Sequence, residues 1–255
     1  MKSEERKEQN HRAVVEHYAG IAEAYDRRWD RYTERTLDTL IEHLDLDRVE
    51  ELLDVACGTG RLEIKLRERK PALRLTGTDL SPDMIRIAQK RLPAESTVRW
   101  VVTPAESLPF EQESFDAVVC ANAFHLVPDQ PAALQEFHRV LRPNGQLIIV
   151  DWCPEYLTVA LLLAGSRGFG RQYRQLHRTR DLAALVERHH FSIEAALPFR
   201  ATWFWGLHVV KGRRHGGTEG CHGQRAEGSR PCTGGRTISG PNYDAQSAPL
   251  DPSMP

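Results

Sequence analysis

Between Arg12 and Leu44 the apolar positions Val15, Tyr18, Ile21, Ala22, Tyr25 and Trp29 recur at three- and four-residue steps, the spacing of an amphipathic helix. From Glu51 the pattern changes, and short apolar runs alternate with longer segments of helical period. The runs are LLDVA, LRLTGTDL, TVRWVVT, FDAVVCANA and QLIIVDW, and the helical segments among them are RLEIKLRER, PDMIRIAQKRL and AALQEFHRVL. Strands alternating with helices predict an α/β domain whose parallel sheet carries helices on both faces. Phe115–Ala121 is apolar at every position but Asp116, which predicts a strand buried on both sides near the middle of that sheet. Ser81 before Pro82 reads as an N-cap with proline at the first helical position, and Asn144-Gly145 after Pro143 reads as a turn before the next strand.

After Asp151 the periodicity weakens. Thr179–His189 has helical spacing, FSIEAAL reads as a sixth strand, and the aromatic and β-branched TWFWGLHVV as a seventh. In such a strand Trp203 and Trp205 share one face, because side chains alternate. Past Lys211 large aliphatic residues almost vanish while Gly, Pro and Ser accumulate, which predicts a disordered tail. The expected organisation is a helical cap over 1–45, the α/β domain over 46–211 and the tail over 212–255.

Composition narrows the partners. Among 255 residues, 34 Lys and Arg face 35 Asp and Glu, so the net charge of −1 leaves no basic excess to draw a nucleic acid or an anionic membrane. The longest apolar stretch, Leu157–Ala164, is well short of the roughly 20 residues of a membrane span. The opening MKSEERKEQNHR has no apolar signal core, so the expectation is a cytoplasmic protein without stable membrane insertion. Cys57, Cys120, Cys153, Cys221 and Cys232 form no CxxC pair and read as reduced thiols. The adjacent His189 and His190 lack the spacing to face one metal, and no metal site is expected.

The candidate chemistry starts where the first strand ends. Asp54-Val55-Ala56-Cys57-Gly58-Thr59-Gly60 runs directly into a helical segment, which places a glycine-rich turn at the carboxyl edge of a parallel sheet, where ligands bind. Gly58 and Gly60 allow close approach of a ligand, and the helix turns unpaired N–H groups toward the same spot. Asp79, 19 residues after Gly60, ends the next strand, where a carboxylate can accept two hydrogen bonds from a ribose diol. A nucleoside-containing ligand is implied. The dinucleotide fingerprint needs glycine or alanine where this chain has Glu63, which counts against a nicotinamide cofactor. No lysine follows Gly60 to form a phosphate loop. Asn122 and His125 follow the fourth strand at the same edge; His125 can act as general base toward a hydroxyl or an acidic carbon, or simply bind a loop carbonyl.

Taken in order, LLDVACGTGRLEIKL, GTDLSPDMIRIAQKR and AESLPFEQESFDAVVCANAFHLVPDQPAALQEFHRVLRPNGQLIIVDW resemble the class I S-adenosylmethionine-dependent methyltransferases. The likeness is to the ubiquinone/menaquinone-biosynthesis branch, methyltransferase type 11, and runs roughly from Tyr18 to Val210. It implies a Rossmann-like, seven-stranded, mostly parallel sheet, S-adenosyl-L-methionine as cofactor, and methyl transfer to oxygen, carbon or nitrogen of a small-molecule acceptor. Carried over by residue, Asp54, Ala56, Gly58 and Gly60 surround the methionine end, Asp79 takes the ribose, and Leu80 and Met84 lie near the adenine. Ala105, Glu106 and Asn122 complete the cofactor's surroundings. The segment YAGIAEAYD resembles the family's leading helix, whose tyrosine closes over the cofactor; this puts Tyr25 near the sulfonium, or packed on the sheet as an ordinary tyrosine.

One position departs from the family. Thr103-Pro104-Ala105-Glu106 stands where Gly-Asp-Ala-Glu is common, so adenine recognition falls to backbone groups near Ala105 or to apolar packing. Beside methyl transfer stand a cofactor-binding scaffold without turnover, motivated by Pro104, and a nicotinamide-dependent oxidoreductase, opposed by Glu63. The acceptor is not legible, because its pocket is expected from the N-terminal helices and the irregular insert Pro154–Arg178. Oligomeric state is not legible either.

Overall fold

The computed structural model describes residues 2–92, 98–160 and 175–216; in the first helix the side chains of residues 2, 3, 22–25, 27 and 28 lie outside that description. The described residues belong to one compact unit. The expected disordered tail falls outside the described residues from 217 onward.

Helix α1 (Lys2–His43) loses helical geometry at Trp29, where φ is −115° and ψ 17°. Its second half buries Tyr32, Thr36, Leu37, Leu40 and Ile41, a stripe of helical period that faces the sheet. The α/β units follow as β1 (Glu51–Val55), α2 (Arg61–Arg69), β2 (Arg74–Asp79), α3 (Pro82–Arg91) and β3 (Val98–Val102). Then come β4 (Phe115–Ala121), α4 (Gln130–Val140), β5 (Leu141–Trp152), α5 (Thr179–Arg188), β6 (Phe191–Arg200) and β7 (Gly206–Arg214). The seven strands form one sheet in the order β3-β2-β1-β4-β5-β7-β6. All pairings are parallel except those of β7 with β5 and β6. This is the Rossmann-like α/β sheet that the resemblance implies, and β4 occupies its centre as its apolar run Ala117–Ala121 predicts.

Alternation along each strand builds two cores. Leu53, Val118 and Ile149 pack with Phe137 of α4 and Val186 of α5 on one face. Their neighbours Leu52, Val119 and Ile148 pack with Leu40 of α1 and Leu66 of α2 on the other. The capping expectation holds at Ser81, whose hydroxyl accepts from the Met84 N–H at 3.4 Å.

Three boundaries differ from the sequence reading. Asn144 does take a left-handed φ of 63°, but it lies within β5, where the register against β4 slips between Phe115 and Ala117. The local signal marks an irregularity inside the ladder and not a turn ahead of it. The seventh strand begins only at Gly206, so Trp203 and Trp205 do not share a strand face: Trp203 is 74% exposed, while Trp205 packs on Trp29, Tyr32 and Trp152. Thr202 closes a turn instead, its hydroxyl accepting from Trp205 N–H at 3.0 Å, and side-chain capping of this kind overrides strand propensity. Finally, β7 runs to Arg214, past the expected boundary at 211, because Gly212 and Arg213 still pair with Leu147 and Gln146.

Candidate active site

The carboxyl ends of β1, β2 and β4 converge on a cavity roofed by His11, Val14 and Tyr18 of α1. The loop after β1 turns through left-handed residues, with φ of 60° at Ala56, 56° at Gly58 and 77° at Gly60. Gly58 lines the cavity, and a Cβ there would project into open space. Gly60 instead serves the packing behind the loop. A Cβ on it would sit 3.0 Å from that of Ala88, so its absence lets the loop approach α3.

Asp79 braces this loop from the end of β2. One carboxylate oxygen accepts from the Gly58 N–H at 2.9 Å and the other from the Ser81 N–H at 2.8 Å. Burial raises its carboxyl to about 6 against the pull of those N–H groups. Asp79, Leu80, Met84, Ala56 and Gly58 line one flank of the cavity. Ala105, Glu106 and Asn122 line the other, together with Pro104. The Glu106 carboxylate accepts from the Asp129 N–H and lies 3.3 Å from His11 Nε2. Burial works to raise its pKa, but the His11 contact, a backbone N–H and the Lys7 charge together hold it below the ordinary value.

Of the remaining expected site residues, Asp54, Gly60 and His125 lie off the cavity wall. Asp54 is buried under the loop, and burial, then Glu63 and Asp79, push its carboxyl well above the usual range. Gly60 lies behind the loop, as described. His125 is buried in a short turn after β4, its Nδ1 2.6 Å from Asp151 Oδ1 and its N–H donating to Asp151 Oδ2 at 2.7 Å. Its ring stacks on Trp152 with centroids 4.7 Å apart. The Tyr25 side chain lies outside the described residues.

Sequence reasoning missed four participants. Asp151 ends the β5 run IIVD, where an acid inside an apolar strand was the available signal. Tyr32 contacts Asn122 and Trp152 contacts Tyr32, and no local pattern announces it. Glu63 figured only as an objection to a nicotinamide cofactor; it is fully buried against Gly77 and Trp100, and burial raises its carboxyl to about 8. Among the described residues no group of three or more His, Cys, Asp or Glu can hold a metal, and no helix is long and apolar enough to cross a membrane.

Residues 53–149 match the family described as a methyltransferase domain. The chain is 37% identical over 130 residues to the demethylmenaquinone methyltransferase of Thermus thermophilus, covering 51% of this chain and 56% of the relative. It is 35% identical over 128 residues to the ubiquinone/menaquinone biosynthesis C-methyltransferase of Syntrophotalea carbinolica, covering 50% and 51%. The chain thus spans about half the length of the curated relatives it matches. A solved S-adenosylmethionine-dependent methyltransferase from Thermotoga maritima shares the fold with a TM-score of 0.63 at 20% identity, covering 78% of this chain and 99% of that one. The glycine loop braced by Asp79, on a sheet of this order, lies within the segment 53–149 that matches the methyltransferase-domain family.

Proposed function

We propose that the protein transfers the methyl group of S-adenosyl-L-methionine to a small-molecule acceptor. The observation that carries this reading is the pairing of Asp79 with the glycine loop at the floor of the cavity. The residues present fit the cofactor. Each Asp79 oxygen has lone-pair capacity beyond the backbone N–H it accepts, which suits two ribose hydroxyls. The space over Gly58 admits the chain beyond the ribose, and Leu80, Met84 and Pro104 offer apolar surface to the adenine. Bound there, the cofactor supplies an electrophilic methyl group.

The work of the chain is then to hold the acceptor in line and to exclude water. His125 takes the acceptor's proton. Asp151 holds the ring in the tautomer protonated at Nδ1, which makes Nε2 the basic nitrogen. Beside it, Trp152 stacks on the ring and joins Trp29, Tyr32 and Trp205 in an aromatic wall. The apolar lining of the cavity, with Val55, Leu80, Met84 and Val127, suits a flat, largely apolar acceptor, in keeping with the quinones for which the two relatives are named. The net charge of −1 favours such an acceptor over nucleic acid.

Calorimetric titration with S-adenosylmethionine, S-adenosylhomocysteine and NAD tests the cofactor: the first two bind with micromolar affinity and NAD does not. Absence of binding by both methyl-donor ligands overturns the reading. In turnover assays with demethylmenaquinone, His125→Ala lowers the rate by about 10²–10⁴ and leaves cofactor affinity unchanged. Full turnover in that variant removes His125 as the base.

A further inference from the structure

Asn122 presents an ambiguity that the structure resolves. A primary amide has nearly the same shape when rotated by half a turn, but the exchange replaces two N–H donors by a carbonyl acceptor. The backbone of Asn122 is pinned, with a left-handed φ of 57° and its N–H donating to Val150 O at 2.7 Å. Its side chain meets a short relay from two other elements: Trp152 Nε1 of β5 donates to the Tyr32 hydroxyl at 2.7 Å, and that hydroxyl donates to Asn122 Oδ1 at 2.5 Å. An indole nitrogen only donates, so the Tyr32 oxygen is its acceptor, and the hydroxyl proton points to Asn122. With Oδ1 taken up by Tyr32, the N–H₂ end is the polar end that remains for the cavity Asn122 lines.

Topology says which part of a ligand lies there. In the sheet β1 stands between β2 and β4, so Asp79 and Asn122 flank the glycine loop from opposite sides. A nucleoside whose ribose is held at Asp79 therefore directs whatever extends across the loop toward Asn122. We infer that Tyr32 and Trp152 are positioning residues, which lock the Asn122 amide so that its N–H₂ group meets the carboxylate at the amino-acid end of the cofactor. This inference rests on the cofactor proposed above. It also makes helix α1 part of the ligand-reading machinery, because Tyr32 belongs to that helix.

Calorimetric titration of the full chain with S-adenosylhomocysteine and with 5′-methylthioadenosine tests it; the second ligand keeps the nucleoside and thioether but lacks the amino-acid end. Tyr32→Phe deletes one hydroxyl. It lowers the affinity for S-adenosylhomocysteine about fivefold to tenfold, the worth of one hydrogen bond, and leaves methylthioadenosine unchanged. Asn122→Asp puts a carboxylate oxygen where the N–H₂ group was, and it lowers S-adenosylhomocysteine affinity by more than Tyr32→Phe does, again sparing methylthioadenosine. In an Asn122→Ala background, Tyr32→Phe has no further effect. Unchanged binding of S-adenosylhomocysteine in Tyr32→Phe, or equal loss for both ligands, overturns the inference while leaving the proposed cofactor standing. Wild-type protein that does not bind S-adenosylhomocysteine overturns both.

Discussion

Two regions behind the cavity, one on each flank of it, bury carboxylates by opposite means. Beneath the glycine loop, Asp54 Oδ1 and both oxygens of Glu63 have no hydrogen-bond partner among the described residues. Burial pushes Glu63 up to about 8 and Asp54 well above the ordinary carboxylate value. At the end of β5, Asp151 is just as deeply placed but accepts from the N–H groups of His125 and Trp152 and meets the His125 ring. There too burial works to raise the carboxyl, yet the His125 ring and the Trp152 N–H hold it below the usual range. Burial alone therefore does not decide the charge of an acid in this domain; the partners it is given do.

The contrast can be broken from either side. Asp151→Ala has the largest expected effect, a loss of about 3–5 kcal/mol in urea unfolding, because it strips a buried imidazole and two N–H groups of their common acceptor. A variant as stable as the wild type ends the argument that this flank is held by pairing. Asp79 stands between the extremes, raised to about 6 yet bonded to two backbone N–H groups. Asp79→Ala should weaken S-adenosylmethionine binding by about 1.5–3 kcal/mol in calorimetry, and unchanged affinity refutes its assignment to the ribose.

The two flanks also predict opposite responses to pH. Glu63 has a folded pKa of about 8, above its ordinary 4.5, so the stability it contributes is fully present below 4.5 and is lost as pH rises through 8. The slope approaches about 1.4 kcal/mol per pH unit, and Glu63→Gln removes it. Asp151, with its pKa lowered, contributes stability that is present above 3.8 and lost as pH falls through the folded value. Unfolding curves collected across pH separate the two, and a slope between pH 4.5 and 8 that is identical in wild type and Glu63→Gln contradicts the neutral-acid account. The smallest effect is expected at Ala56, a residue with Cβ held at φ 60°. Ala56→Gly relieves that strain and raises stability by about 0.5–1 kcal/mol in thermal melts, part of the gain being offset by the added freedom of the unfolded chain.

Much of the site was legible wherever its signal was local. Asp79 follows its strand directly, Ser81 caps the helix that Pro82 opens, and the left-handed positions Gly58 and Gly60 are glycines. Where local and distant forces competed, the reading slipped. TWFW has strand composition, but the Thr202 hydroxyl closes a turn there, and Gly206 is the residue whose missing Cβ leaves room for the Tyr156 ring. The relay through Tyr32 joins residues 90 and 120 positions apart, and the partner of His125 lies 26 positions away. No periodicity spans such intervals.

By itself, then, the sequence determined the order and type of the elements, the central place of β4 and the glycine loop with its acid, because these follow from repeating patterns and neighbouring residues. The charge carried by Asp151 as against Glu63, and the end of the Asn122 amide turned to the cavity, were decided only by the tertiary structure. Both depend on desolvation and on hydrogen-bond partners that only folding brings within reach.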